Sequence, residues 1–212
     1  MCTTLSSVGS EIFRRMKTKF DVTIIDEAAQ AVEPSTLIPL TEIKTKQAFL
    51  VGDPAQLPAT VLSRECAKNN YDQSLFKRLM DSGFPVHKLS TQYRMLPEIR
   101  EFPSDQFYGG ELRDGPGVLK QNYREWHECK LYKPFVFYDV QHGKEESSSS
   151  GFSWINEEEA AFAIELAHQL LKANPVLKRG GPKVAIISPY RAQVSVIRRK
   201  LEKKFGGMHN YG

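Results

Sequence analysis

The chain has 212 residues, of which 41% are hydrophobic, and its 29 basic and 25 acidic side chains give a net charge of +4. This length allows one large domain or two small ones, and the weakly basic balance permits nucleic acid as a partner without requiring it. No run of about 18 apolar residues is present, which excludes a membrane-spanning helix. Three cysteines without a CxxC pair indicate a reducing compartment and argue against a zinc site.

Three apolar segments predict strands, at residues 20–27, 47–53 and 183–189. The first ends in two carboxylates, those of Asp26 and Glu27. Because apolar and polar residues do not alternate in these segments, we expect parallel strands that are buried on both faces.

Helices are predicted between and after the strands, over residues 11–17, 73–82, 157–173 and 191–205. Asn156 is a suitable N-cap for the third of them, and Gly83 can end the second. The serine run at residues 147–150 predicts a flexible surface loop.

The alternation of strands and helices predicts an α/β fold. The pattern restarts after residues 83–89, so we expect two domains, over residues 1–88 and 89–212.

The acidic end of the first strand is a candidate site for phosphoryl transfer. Ligands of open α/β sheets gather at the carboxyl ends of strands. If adjacent residues Asp26 and Glu27 point in opposite directions, one can hold magnesium while the other deprotonates an attacking water. A solvated strand end is the alternative for such a common dipeptide.

Two further segments carry groups that suit nucleotide chemistry. The loop GDPAQLP, residues 52–58, places Gln56 where it can contact a phosphate oxygen and the neighbouring carboxylates. In Gln92-Tyr93-Arg94-Met95, the tyrosine can stack on a base and the arginine can neutralise charge on a γ-phosphate. Taken singly, each segment also fits an ordinary loop.

Taken together, the order and spacing of these segments resemble the conserved motifs of superfamily 1 helicases, in particular the nonsense-mediated-decay helicase and its senataxin-like relatives. The resemblance covers nearly the whole chain and rests on five segments: TLSS at residues 4–7, DEAAQ at 26–30, GDPAQLP at 52–58, QYRM at 92–95 and ISPYRAQ at 187–193.

The resemblance implies parts of two RecA-like P-loop NTPase domains with parallel sheets, and ATP and Mg²⁺ as cofactors. By its motifs, Asp26 binds the metal, Glu27 is the general base and Gln56 senses the γ-phosphate. Gln92 and Tyr93 bind the nucleotide, with the tyrosine on adenine, and Arg94 is the arginine finger.

The same resemblance implies single-stranded RNA or DNA as the partner, and no membrane. The residues expected near the strand are Thr4, Ser6, Ser7, Pro189 and Tyr190. It also implies a location in the nucleus, with the cytoplasm as the alternative.

The chain departs from the family pattern because no G-x-x-x-x-G-K-[ST] phosphate-binding loop occurs, nor do the C-terminal motifs. We therefore expect a fragment of a longer helicase that hydrolyses no ATP when expressed alone. One alternative is a non-catalytic relic that binds nucleic acid or protein through the basic segment 198–204. A weaker one is a nuclease that uses the carboxylates of Asp26 and Asp53.

Overall fold

The computed structural model describes residues 1–18, 20–43, 45–148, 151–178 and 183–206. The chain forms two compact units. Unit 1 comprises Met1–Thr91 and Pro103–Arg113, and unit 2 comprises Gln92–Phe102 and Asp114–Gly212. The predicted domain limits, residues 1–88 and 89–212, stay a prediction.

Unit 1 begins as a strand–helix–strand arrangement. Its elements are α1 (Leu5–Val8), α2 (Glu11–Arg15), β1 (Val22–Ile25), α3 (Glu33–Glu42), β2 (Gln47–Leu50), α4 (Arg64–Lys68) and α5 (Leu75–Asp81). Strands β1 and β2 pair in parallel, with Val22 opposite Gln47 and Ile25 opposite Leu50. The predicted α/β fold and this parallel pairing are confirmed.

Helix α3 is the centre of packing in unit 1, since it contacts α1, β1 and α5. The Ser74 hydroxyl caps α5 by accepting a hydrogen bond from the Lys77 N–H at 3.1 Å. Arg78 on α5 donates two 2.7 Å hydrogen bonds to the carboxylate of Glu33 on α3. These contacts fix the layer that supports the two strands.

The prediction that these strands are buried on both faces is wrong. Val22, Ile24 and Phe49 are 43%, 68% and 53% exposed, whereas Ile25 is buried at 4%. Side chains alternate between faces along a strand, and Ile24 stands opposite Phe49. One face therefore packs on α3, while no described element covers the other closely enough to bury it.

The chain passes from one unit to the other within three elements. These are β3 (Thr91–Gln92), α6 (Pro97–Phe107) and β4 (Arg113–Asp114). Strands β3 and β4 form a two-stranded sheet.

The later elements belong to unit 2: α7 (Val118–Asn122), β5 (Glu146–Ser147), β6 (Trp154–Ile155), α8 (Glu157–Ala173) and α9 (Arg191–Phe205). Strands β5 and β6 form an antiparallel hairpin. The predicted serine loop is therefore wrong for Ser147, which belongs to β5, and its residues 149 and 150 lie outside the described residues.

Helices α8 and α9 build the core of unit 2. Ala160 and Ile164 of α8 pack with Val196 and Ile197 of α9, all less than 9% exposed. The predicted N-cap is confirmed, since Asn156 Oδ1 accepts a hydrogen bond from the Glu159 N–H at 3.0 Å. Helix α9 has the bounds that its apolar spacing predicts.

The third predicted strand is wrong, because residues 183–189 form no strand. A strand needs a hydrogen-bonded neighbour, and the backbone of residues 183–187 makes no ladder with the described residues. The segment still contributes an apolar side chain to packing, since Ile186 packs against the α8–α9 core.

A buried side-chain amide joins the two helices of this core. The Asn156 N–H donates to Gln193 Oε1, and Gln193 Nε2 donates to the Asn156 carbonyl, both at 2.9 Å. Both residues are less than 8% exposed. Gln193 therefore satisfies the Asn156 N–H, which the β6–α8 junction would otherwise bury without a partner. The Asn156 carbonyl also accepts from the Ala160 N–H, at 3.1 Å.

Replacing Gln193 by leucine should destabilise unit 2 by about 1–3 kcal/mol, because the buried Asn156 N–H loses its partner. Urea unfolding followed by tryptophan fluorescence measures this, since Trp126 and Trp154 both lie in unit 2. Gln121→Leu, at an exposed position of α7, is the matched control. Equal unfolding midpoints for the two variants would contradict the assignment.

Ion pairs reinforce the contact between α8 and α9. Lys200 lies 2.6 Å and Arg199 3.1 Å from the Glu157 carboxylate, and Lys204 lies 2.8 Å from that of Glu165. The hydrogen bonds from Lys204 and then Gln169 lower the pKa of Glu165 from 4.5 to about 2. The stability that the pair of Lys204 and Glu165 contributes depends on pH, because the pKa of Glu165 is lowered in the folded state and not in the unfolded chain.

Acid should therefore weaken the α8–α9 contact. The contribution of Glu165 is fully present above pH 4.5 and is lost as the pH falls towards about 2. Lys204→Met should move the pKa of Glu165 back towards its ordinary value, as followed by carboxyl carbon NMR. Lys203→Met, at an exposed position without an ion pair to the described residues, should leave it unchanged. Equal shifts in both variants would rule out the pairing.

No helix in the described part of the chain is long and apolar enough to cross a membrane.

Candidate functional site

The two candidate acids lie in a tight turn after β1. The strand ends at Ile25, so Asp26 and Glu27 are not adjacent strand residues as predicted, and the turn rather than the pleat separates them. Glu27 has φ 53°, a left-handed conformation that is uncommon for residues other than glycine. Asp26 Oδ1 accepts a hydrogen bond from the Glu27 N–H, and Gln30 donates to Glu27 Oε2, both at 3.0 Å.

The loop after β2 lies against this turn. The hydrogen bonds of the parallel pair continue past the strands, because the Val51 N–H donates to the Ile25 carbonyl and the Ala28 N–H donates to the Val51 carbonyl, both at 2.8 Å. A Cβ on Gly52 would stand 2.8 Å from the Ala29 nitrogen. Only glycine permits so close an approach of the two loops.

Within the second loop, the Asp53 carboxylate organises the residues that follow it. Asp53 Oδ1 accepts from the Ala55 N–H at 3.0 Å, and Oδ2 accepts from Gln56 Nε2 at 2.9 Å. The hydroxyl of Tyr108 also donates to Oδ2, at 2.6 Å. The carboxylate that Gln56 contacts is therefore Asp53, rather than Asp26 or Glu27.

These hydrogen bonds keep Asp53 ionised. Partial burial alone would raise the pKa of Asp53, but the donors Tyr108, Gln56 and the Ala55 N–H outweigh it and lower the pKa below its ordinary value. The same bond raises the pKa of Tyr108. Sequence reasoning gave Tyr108 no role. Tyr108 lies 55 residues along the chain from Asp53, and no motif or spacing links the two.

The QYRM segment forms a loop in unit 2 that the Gln92 side chain shapes. Gln92 Oε1 accepts from the N–H groups of Arg94 and Met95 at 2.8 and 2.7 Å. Its Nε2 donates to the Met95 carbonyl at 2.8 Å and to Asp114 Oδ1 at 2.5 Å. The amide is thus occupied by the protein, and the loop presents Tyr93 and Arg94 to solvent.

Two neighbours complete this loop. Arg100 forms twin 3.2 Å hydrogen bonds with Asp114, which lower the pKa of Asp114 with a smaller contribution from Gln92. The Tyr93 ring lies against Gly115, where any Cβ would overlap the ring, and it remains 61% exposed. The exposed face of the tyrosine is therefore available for stacking.

The residues expected to contact single-stranded nucleic acid lie at the N-terminal ends of two helices. In unit 1, Thr4 Oγ1 caps α1 by accepting from the Ser7 N–H at 3.3 Å and lies 2.8 Å from Ser7 Oγ, while Ser6 is exposed. In unit 2, the exposed residues Pro189 and Tyr190 immediately precede α9.

The structure thus collects the predicted residues into separate groups. Asp26 and Glu27 lie beside the loop that holds Gln56, whereas Gln92, Tyr93 and Arg94 share one loop of the other unit. Among the described residues, no cluster of three or more possible metal ligands occurs. Asp26 has one carboxylate oxygen directed to its own turn, and it fits a magnesium ion whose other ligands are water and phosphate oxygens.

Substituting Gly52 by alanine should separate the two loops, because the new methyl group would overlap the Ala29 backbone. Overpacking of this kind costs about 1–3 kcal/mol. Amide hydrogen exchange at Ala28 should accelerate roughly tenfold or more, since each ~1.4 kcal/mol is a factor of ten.

Gly9→Ala is the control for this substitution. Its nearest neighbour is the Cγ2 methyl of the Ile38 side chain at 3.2 Å rather than backbone, and Gly9 has an ordinary helical φ of −75°. Exchange at Ala28 that is as slow in Gly52→Ala as in Gly9→Ala would show that the loops do not need this glycine.

Comparison with known proteins assigns a family. Two profiles, each described as an AAA domain, match residues 1–64 and 71–210. The chain is 48% identical over 96% of its length to "Probable helicase MAGATAMA 3" of Arabidopsis thaliana and covers 25% of that protein. It is 42% identical over 99% of its length to "Helicase SEN1" of Saccharomyces cerevisiae and covers 9% of it.

A more distant relative is "ATP-dependent helicase upf1" of Schizosaccharomyces pombe, 37% identical over 90% of the chain, which covers 20% of that protein. The chain thus spans a quarter or less of these relatives. The resemblance drawn from the five sequence motifs and the RecA-like α/β fold are confirmed. This chain belongs to the family of AAA-domain helicases that includes the senataxin-like Sen1 proteins and the upf1 helicases.

Proposed function

We propose that this chain is the part of an ATP-dependent helicase that couples ATP hydrolysis to translocation on single-stranded RNA or DNA. The observation that supports this most is the junction of two loops at the carboxyl ends of β1 and β2. It holds Asp26, Glu27 and the Asp53–Gln56 pair on one edge of a parallel sheet, where phosphate ligands of α/β proteins bind.

Each group at this edge suits one task of phosphoryl transfer. Asp26 would hold Mg²⁺, which when bound neutralises charge on the phosphate oxygens. Glu27 would accept the proton of the attacking water, since its carboxylate is exposed and oriented by Gln30. The exposed carboxamide of Gln56 would donate to the γ-phosphate.

Two side chains of the QYRM loop, those of Tyr93 and Arg94, would bind the nucleotide. Tyr93 offers an exposed ring that Gly115 backs, which suits stacking on adenine. Arg94 is exposed and has no ion-pair partner among the described residues, so its guanidinium can neutralise a γ-phosphate. Gln92 would contribute through the loop that it holds.

Single-stranded nucleic acid would contact the start of α1 in unit 1 and, separately, the start of α9 in unit 2. Thr4, Ser6 and Ser7 supply hydroxyls for phosphate or sugar oxygens, while Pro189 and Tyr190 supply an apolar surface and a stacking ring. With the senataxin-like relatives as the basis, we place the whole protein in the nucleus, with the cytoplasm as the alternative.

Two other functions are less well supported. A nuclease would need Asp53 as a metal ligand, but both oxygens of that carboxylate accept hydrogen bonds from the protein. A binding module that relies on the basic segment 198–204 would need its cations free, but Arg199, Lys200 and Lys204 pair with acids of α8.

The direct test is ATP hydrolysis by the full-length protein that contains this chain, with and without single-stranded RNA or DNA. Glu27→Gln should lower kcat by about 10²–10⁴-fold, the usual contribution of a general base, while ATP binding is kept. Arg94→Ala should lower kcat by about 10³-fold or more, as expected for an arginine finger.

Glu65→Gln is the matched control, because Glu65 is an exposed carboxylate of unit 1 that pairs, among the described residues, with Lys68 of the same helix. It should leave kcat unchanged. Wild-type protein that binds nucleic acid but hydrolyses no ATP would exclude the helicase proposal and favour a binding module.

A further inference from the structure

The bond between Tyr108 and Asp53 is the feature of unit 1 that the proposed roles leave unexplained. The half-buried phenol of Tyr108 donates to Asp53 Oδ2 at 2.6 Å, across 55 residues of sequence. Both residues belong to unit 1. A hydroxyl bonded to a carboxylate is among the stronger hydrogen bonds in proteins.

Tyr108 is placed by a rigid turn at the end of α6. Ser104 is fully buried, and its carbonyl accepts from the N–H groups of Tyr108 and Gly110 at 3.0 and 2.9 Å. Its hydroxyl accepts from the Leu112 N–H at 3.3 Å. Lys88 donates to the Glu111 carboxylate at 2.6 Å and to the Tyr108 carbonyl at 3.5 Å. The phenol therefore reaches Asp53 from a fixed position.

The Asp53 carboxylate in turn orients the side chain of Gln56. A carboxylate only accepts hydrogen bonds, so the group of Gln56 that faces it at 2.9 Å is the NH₂ of the carboxamide. That nitrogen carries a second N–H, and the Gln56 side chain is exposed. Asp53 thus sets the direction of an exposed carboxamide.

Tyr108 limits the freedom of Asp53. With Oδ1 bonded to the Ala55 N–H and Oδ2 shared by Gln56 and Tyr108, the carboxylate cannot rotate without breaking a hydrogen bond. Without the phenol, Oδ2 would keep only the flexible Gln56 amide, and water would compete for it. The donor of Gln56 would then be less well ordered.

We propose that Tyr108 is a positioning residue that orients Gln56, through Asp53, towards the γ-phosphate of bound ATP. This inference rests on the proposed function, since it gives Gln56 a ligand. Tyr108 itself touches no substrate. Its contribution lies in lowering the conformational freedom of a donor that must meet a developing negative charge.

The test is a double-mutant cycle in the full-length protein, with nucleic-acid-stimulated ATP hydrolysis as the readout. Tyr108→Phe removes only the hydroxyl and should lower kcat roughly tenfold, the value of one hydrogen bond to a charged group. The KM for ATP should change little. Gln56→Ala should lower kcat at least as much, and Tyr108→Phe should then have no further effect in the Gln56→Ala background.

Tyr71→Phe is the control, since Tyr71 is a 49% exposed tyrosine of the same unit. It should leave kcat unchanged. Equal kcat for Tyr108→Phe and wild type would overturn the inference alone, as would the same tenfold loss in the Gln56→Ala background, which marks a merely structural role. Wild-type protein without ATP hydrolysis would overturn the proposed function and this inference together.

Discussion

The parallel pairing of β1 and β2 is the constraint on which the candidate site depends. Its register sets Ile25 opposite Leu50, so both strands end at the same edge. The ladder then runs on through the Val51 and Ala28 N–H groups, and Gly52 lets the two loops meet backbone to backbone. The positions of Asp26, Glu27 and Asp53 therefore follow from backbone hydrogen bonds rather than from contacts of their own side chains.

A second layer of polar residues orients the exposed candidates. Asp53 holds Gln56, and Gln30 holds Glu27. Gln92 uses its whole amide to shape the loop of Tyr93 and Arg94. In each case a hydrogen bond from one side chain limits the freedom of the neighbour that it contacts. Such support is what a site needs to keep its geometry before a ligand arrives.

The parts of the fold that local signals determine could be predicted from sequence. Helix α9 has its predicted bounds because an apolar stripe and a glycine at its end act within one segment, and Asn156 caps α8 by the same local chemistry. Burial could not be predicted in this way. Ile24 and Phe49 have the composition of buried strand residues, yet exposure depends on what packs over the sheet.

The parallel pairing of β1 and β2 was predicted, but the sequence does not show which other segments find a partner at long range. Residues 183–189 are apolar and β-branched, but a strand exists only where a neighbour supplies hydrogen bonds. The bond from Tyr108 to Asp53 crosses 55 residues, and no periodicity or spacing points to it. Motif residues were found because their types suit phosphate chemistry, whereas a supporting residue such as Tyr108 carries no such signature.

The backbone of Glu27 gives one more reason to regard this edge of the sheet as functional. In the described part of the chain, the residues other than glycine with positive φ are Glu27 and Asn70. Asparagine tolerates that conformation readily, but glutamate does so at a cost of about 1–2 kcal/mol. The Ala28 N–H bonded to Val51 and the amide of Gln30 hold Glu27 in place against that cost. Strain kept at the residue proposed as general base, and compensated by its neighbours, is the pattern expected where geometry serves chemistry.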